Sequence, residues 1–273
     1  MICKSNIILL LKITRYIGWV IAPIVFLIGF CYSGATISNL SVLQIMLLSF
    51  PYAVFLFGIN DINDYDSDKI NPRKKSFPIT NDIKRFILVV SVLTAASLIL
   101  ISALTQNYEN IILTTLLLLI SYYYSSGPLR FKEMPFFDSF SNGLIFFLVF
   151  SAGYSYGGSA VDIPLKIYFV ALCVMGIHSF GTVLDFEVDK KVGHNTFAVF
   201  FGKRVTLLFS MSTFILAFYF ADIGRNFINY YLLYCAIVAF ITFVKPVHTV
   251  TLNCFKLIFA GFLLTSILFL ITY

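Results

Sequence analysis

Charge is scarce in this chain. Asp, Glu, Lys and Arg make up 12% of its 273 residues and 59% are hydrophobic, whereas a water-soluble domain carries about twice that charged share. A water-soluble globule is therefore excluded on composition. Cysteine is sparse: Cys3, Cys31, Cys173, Cys235 and Cys254 form no Cys-x-x-Cys pair and fall mostly inside or beside apolar runs, so neither a disulfide framework nor a zinc site is expected. Histidine is limited to three, none at ligand spacing. The ten-residue alternation of a membrane barrel is missing as well. No small-residue cleavage site precedes the first long run, so that run is expected to be retained.

What the chain does have is continuous runs rich in Leu, Ile and Phe, each long enough to cross a hydrocarbon core of roughly 30 Å as a helix. Nine are read: 17–37, 42–59, 86–105, 111–126, 139–157, 166–183, 205–222, 228–244 and 252–272. Lipid tolerates only helices or closed barrels. The expected fold class is all-α, a polytopic membrane protein of nine transmembrane helices in a single domain over 1–273.

Nine crossings put successive connections on alternate sides. Only Lys166 and Arg225 then fall on one side; the other Lys and Arg fall on the opposite one, with Lys256 just inside the last run. Cytoplasmic connections carry the excess of Lys and Arg. The N-terminus is thus expected in the cytoplasm and the C-terminus outside. Most of the acidic residues share the cytoplasmic side, which the charge rule does not require, so the chemistry is expected on that face. The net charge of +6 is accounted for by this topology and by attraction to anionic lipid. No basic and aromatic platform outside the runs points to nucleic acid.

Two acidic clusters stand out. After the second run, Asp61, Asp64 and Asp68 in Asn60-Asp61-Ile62-Asn63-Asp64-Tyr65-Asp66-Ser67-Asp68 are spaced i, i+3, i+7 and share one helical face. After the sixth run, Asp185 and Asp189 in Asp185-Phe186-Glu187-Val188-Asp189 are spaced i, i+4. Like charges on one face repel unless a cation intervenes. Oxygen-only ligands point to a hard cation, and magnesium commonly bridges a few carboxylates to substrate phosphates. A diphosphate substrate is implied. Asp66 and Glu187 lie off these faces and are expected to be solvated or ion-paired. The clusters open the connections after runs two and six, consistent with two pseudo-repeated four-helix halves plus one helix around a central cavity.

Basic residues interleave with the acids. Lys69, Arg73, Lys74 and Lys75 follow the first cluster, Lys190 and Lys191 follow the second, and Arg130 and Lys132 close the connection after run four. Such side chains can clamp phosphate oxygens, Arg73 and Lys132 foremost, although most also satisfy the charge rule alone. Tyr122-Tyr123-Tyr124-Ser125 ends run four, where an aromatic belt places tyrosines in any case. His178 lies within run six and His194 in a basic connection. Hydrogen-bonding glue and function are comparable readings for them.

These residues resemble the UbiA superfamily of intramembrane prenyltransferases. Its first signature, Asn-Asp-x-x-Asp-x-x-x-Asp, matches Asn60, Asp61, Asp64 and Asp68; its second, Asp-x-x-x-Asp, matches Asp185 and Asp189. Tyr124-Ser125-Ser126-Gly127-Pro128-Leu129-Arg130-Phe131-Lys132 is similar to the family's Tyr-Ser-to-Pro-to-Lys segment near the diphosphate. Arg15-Tyr16-Ile17-Gly18-Trp19, Asn71-Pro72-Arg73-Lys74, Asp138-Ser139 and Met175-Gly176-Ile177-His178 look most like the lycopene elongase type. Phe77-Pro78 departs from the Arg-Pro that many members carry there, which puts one phosphate contact in question.

The resemblance implies two magnesium ions held by Asn60, Asp61, Asp64, Asp68, Asp185 and Asp189, with Asp64 and Asp185 in the catalytic role. It also implies diphosphate contacts from Tyr124, Ser125 and Lys132, to which the interleaved basic residues add Arg73, Arg130 and Lys190, and transfer from a prenyl diphosphate to a lipophilic acceptor such as lycopene. Prenylation of an aromatic quinone precursor is the alternative acceptor chemistry. A transporter or a silent helper of the same fold is the non-enzymatic one, disfavoured because no acid lies at mid-span.

Overall fold

The computed structural model describes residues 15, 18–69, 79–222 and 224–272, with the side chains of Asp66 and Ser67 outside that description. Arg73, Lys74, Lys75 and the Phe77-Pro78 pair therefore lie outside the described residues. Among the described residues the chain is all helix and turn, without strands. In order come α1 Gly18–Tyr32, α2 Asn39–Leu48, α3 Phe50–Ala53, a π segment Val54–Gly58, α4 Ile59–Asp68, α5 Asn81–Leu104, α6 Tyr108–Ser125, α7 Phe137–Tyr154, α8 Phe169–Val192, α9 Phe197–Phe201, α10 Lys203–Phe220, α11 Asn226–Val244 and α12 His248–Thr272.

Six helical stretches are long and apolar enough to cross a membrane: Asn39–Tyr65, Asn81–Leu104, Leu165–Val192, Lys203–Phe220, Asn226–Val244 and His248–Thr272. Their polarity is inverted relative to a soluble core. In α5, Ser91, Thr94 and Ser102 are buried while Val92, Leu93 and Leu100 are at least 60% exposed. In α10, Thr206, Ser210 and Thr213 are buried while Leu208, Ile215 and Leu216 are exposed. Small and hydroxylated residues inward, aliphatic residues outward, is the pattern lipid selects, because packing and interhelical hydrogen bonds replace the hydrophobic drive. The chain is a multi-pass membrane protein.

Two compact units can be distinguished: the chain up to Leu129 with Leu148–Ala160, and Arg130–Phe147 with the chain from Val161 onward. In the first, Ser38 and Ser41 form a reciprocal capping box that starts α2, and Asn107 caps α6 by accepting from the Glu109 and Asn110 amides, satisfying otherwise orphaned N–H groups. The α1 and α7 backbones meet at two glycines: a Cβ on Gly29 would strike the Phe150 carbonyl, and one on Gly153 the Phe26 carbonyl. Gln44 lies at the centre of a buried polar network. The two hydrogens of its Nε2 are shared among Ser102 Oγ, Asn110 Oδ1 and Thr114 Oγ1 at 3.3, 3.3 and 3.1 Å, and its Oε1 accepts from the Tyr156 hydroxyl at 2.7 Å. Asn110 Nδ2 in turn donates to the Ala152 carbonyl.

In the second unit, α8, α10, α11 and α12 pack successively. Ser210 Oγ donates to the Gly176 carbonyl at 2.8 Å, a close approach that Gly176 permits because a Cβ there would meet Thr213 and Phe214. Tyr231 donates to the Ile258 carbonyl at 3.0 Å, and Gly261 leaves room for its ring. Phe180 stacks on Phe255.

Candidate functional site

The first acidic cluster rides on α4, immediately after five residues of π-helix. A π segment shifts the phase of everything downstream and often marks a functional stretch. Gly58 closes it, where a Cβ would stand 2.7 Å from Ile87 Cγ2, so the helix runs close against α5 just before the acids begin. Asp64 is buried, while Asn60, Asp61 and Asp68 are half-buried. Asp61 Oδ1 faces Arg15 at 3.4 Å, and that guanidinium also covers the Phe57 ring at 4.7 Å.

Two Asn–Ser hydrogen bonds tie α4 to the end of α6. Ser125, fully buried, donates to Asn60 Oδ1 at 2.8 Å. Asn63 Nδ2 donates to Ser126 Oγ at 3.1 Å and to the Ile59 carbonyl at 2.8 Å. Two of the expected residues, Asn60 and Ser125, are thus brought into direct contact, with Tyr124, half-buried, next in sequence. Asn63 and Ser126 were not anticipated. An Asn one residue before Asp64 and a Ser directly after Ser125 were the only signals.

The second cluster lies near the end of α8. Asp185 and Asp189 are half-buried, and Lys190 is exposed with its ammonium 5.8 Å from the Phe186 ring. Glu187, 75% exposed at its side chain, pairs with Lys203 at 2.6 Å, in keeping with its place off the Asp185/Asp189 face. Gly193, at φ 80°, terminates the helix in the left-handed region, and the His194 amide donates back to the Asp189 carbonyl at 2.9 Å, a common glycine-dependent C-terminal closure. Thr196 Oγ1 donates to Asp189 Oδ2 at 3.4 Å.

Arg130 and Lys132 belong to this second unit. Lys132 is buried, and Arg130 adopts φ 44°, ψ 59°, a left-handed conformation uncommon for a bulky residue. Arg130 Nε lies 2.9 Å from Glu133 Oε1, and His194 Nδ1 lies 2.6 Å from the same oxygen. Asp138, fully buried, accepts the Phe197 amide on Oδ2 at 2.7 Å. His178, within α8, meets Ser139 Oγ at 3.2 Å.

The donor set suits magnesium. Among the described residues, no group of three His, Cys, Asp or Glu side chains is gathered closely enough to hold a metal unaided. Asn and Asp side chains are oxygen donors, the ligand type of magnesium, which commonly takes one or two carboxylates and completes its shell with water and substrate phosphate oxygens.

The chain is 29% identical over 212 residues to a lycopene elongase/hydratase of Haloarcula japonica, covering 76% of this chain and 72% of that one. It is 26% identical over 214 residues to a lycopene elongase/hydratase of Corynebacterium glutamicum, covering 77% and 75%. In fold it is similar to a UbiA homologue from Archaeoglobus fulgidus bound to DMAPP and Mg2+, with a TM-score of 0.69, 22% identity, and 97% of this chain and 99% of that chain covered. The UbiA prenyltransferase family matches residues 9–272, and the chain belongs to that family.

Proposed function

We propose that this membrane prenyltransferase moves the prenyl group of a prenyl diphosphate onto a carotenoid, with lycopene as the acceptor. The observation that carries this reading is the complete oxygen-donor set, Asn60, Asp61, Asp64 and Asp68 on α4 and Asp185 and Asp189 on α8, in a chain similar over three quarters of its length to lycopene elongase/hydratases. These six residues would hold magnesium, two ions in all. Tyr124, Ser125, Arg130, Lys132, Arg73 and Lys190 bind the diphosphate.

When bound, magnesium neutralises the charge that develops on the departing diphosphate. The rest of the chemistry falls to the chain. Asp64 and Asp185 carry the central metal-holding role. Ser125 and Asn60 fix one another at the end of α6, and the cationic side chains hold the phosphate oxygens as charge-assisted donors. The phenylalanine and tyrosine faces shield the allylic cation, and the lipid surroundings keep water away from it while an acceptor carbon attacks and then loses a proton. The chain crosses the membrane nine times as two four-helix halves and a further helix, N-terminus cytoplasmic, C-terminus outside, in one domain, with the acidic clusters on the cytoplasmic face.

The test is product analysis. Membranes holding this protein are incubated with magnesium, labelled prenyl diphosphates of several lengths, and lycopene, aromatic acids and glyceryl phosphates as acceptors. Magnesium-dependent label in lycopene, absent from an Asp64→Ala, Asp185→Ala double variant, is the expected result. Label in an aromatic acid instead would move the protein to quinone-precursor prenylation. No turnover of any diphosphate would overturn the transferase reading.

A further inference from the structure

The residues beyond α8 do more than end a helix. His194 donates its amide to the Asp189 carbonyl at 2.9 Å, and Thr196 donates its hydroxyl to the Asp189 carboxylate at 3.4 Å. Residues 194–197 therefore lie as a short strap across Asp189, touching its backbone and its side chain. The strap is itself held at both ends by one other segment. Glu133 Oε1 takes His194 Nδ1 at 2.6 Å, and Asp138 Oδ2 takes the Phe197 amide at 2.7 Å.

The holding segment also carries the two expected phosphate contacts Arg130 and Lys132. It is not a conformation that the backbone chooses unaided: Arg130 at φ 44° and Phe136 at φ 75° are both left-handed non-glycine residues, a state that persists only where surroundings enforce it. Asp138 is fully buried. A buried acid at the start of an apolar helix is costly unless it is paired or hydrogen-bonded, and here its Oδ2 accepts a main-chain amide of the strap.

We propose that Thr196, Glu133 and Asp138 are positioning residues for Asp189: the strap orients the Asp189 carboxylate, and the Glu133 and Asp138 contacts set the strap in register with the Arg130 and Lys132 segment. The proposal rests on the reading of Asp189 as a ligand for magnesium and diphosphate. Partners that orient a ligating carboxylate tune a metal site as its ligands do, and of these three residues only Asp138 stands in a segment that carries the family resemblance.

The experiment is calorimetric binding of inorganic diphosphate, with magnesium, to the purified full chain in detergent, alongside its thermal midpoint. Thr196→Val keeps the shape and removes the hydroxyl; Thr196→Ser restores it. By analogy with other outer-shell partners, Thr196→Val is expected to weaken diphosphate binding about tenfold or more and Thr196→Ser to recover most of the loss. Glu133→Ala, at a partly exposed position, probes the far end of the strap and is expected to weaken binding in the same direction, whereas Glu133→Gln, which keeps an acceptor, retains more. Equal affinity in wild type, Thr196→Val and Glu133→Ala overturns the strap, as does a lowered thermal midpoint with unchanged affinity. Absence of magnesium-dependent affinity in the wild type instead overturns the ligand reading of Asp189 and the strap with it.

Discussion

Ser125 and Asn60 form a part-buried hydrogen bond, the serine hydroxyl donating to Asn60 Oδ1 at 2.8 Å across a sequence separation of 65 residues. It joins the start of the first acidic cluster to the segment expected to bind diphosphate, so neither is free to reorient alone. Ser125→Ala removes the donor. An intramolecular hydrogen bond of this kind contributes about 1 kcal/mol net, and kcat/KM for the prenyl diphosphate is expected to fall about fivefold or more. Steady-state kinetics check it, with Ser125→Thr recovering part of the loss.

The approach of α1 to α7 depends on glycine at both contacts, Gly29 and Gly153. Gly153→Leu places a branched side chain against the Phe26 carbonyl. Overpacking at such a contact costs about 1–3 kcal/mol, and the thermal midpoint in detergent is expected to drop accordingly.

Gln44 meets Ser102, Asn110, Thr114 and Tyr156 from one side chain. Gln44→Leu leaves several of these polar groups without their partner in an apolar interior. The loss expected is about 1–2 kcal/mol of stability, the range for interhelical polar contacts in membranes. Diphosphate affinity of the folded protein is expected to be unchanged. A thermal midpoint equal to wild type would place the network among neutral contacts.

The proposed topology puts Val161 and Lys191 on opposite sides of the membrane, and both are exposed. With the five native cysteines replaced, Val161→Cys in intact cells is expected to react with an impermeant maleimide, and Lys191→Cys only after permeabilisation. The reverse pattern would invert the orientation.

Much of this fold was legible because lipid imposes one rule on every span. Each apolar run overlaps a helix among the described residues, six of the nine lying on stretches long and apolar enough to cross a membrane, but the ends differ. The run 86–105 begins well inside α5, which starts at Asn81 because Thr80 caps it by accepting the Ile83 amide. An apolar run reports contact with lipid, whereas capping decides where helical hydrogen bonding starts. The run 166–183 likewise stops short of Val192, since α8 continues in polar sequence through Asp185 and Asp189. The π segment at Val54–Gly58 left no trace in the pattern, because its side chains are as apolar as those of an ordinary turn.

The acidic clusters were readable from spacing, but their supports were not. Asp138 and Phe197 are 59 residues apart, and a main-chain amide as a partner has no side-chain signature. Asp138 stands out in the sequence, within the Asp138-Ser139 pair of the family resemblance and as a carboxyl opening an apolar run, but neither feature points to the Phe197 amide. Asn63 carries no charge, so the carboxylate spacing does not single it out. Its bond to Ser126 depends on where α4 and α6 meet, which periodicity does not specify.

The most direct test of the central claim, that the two acidic clusters bind prenyl diphosphate through magnesium, is calorimetry with an unreactive prenyl thiolodiphosphate. Wild type is compared with and without magnesium, and against the Asp64→Asn, Asp185→Asn double variant. Binding that requires magnesium, and is lost by a factor of about ten or more in the variant, is the predicted result. Equal affinity in chelator, or in the variant, would contradict the account.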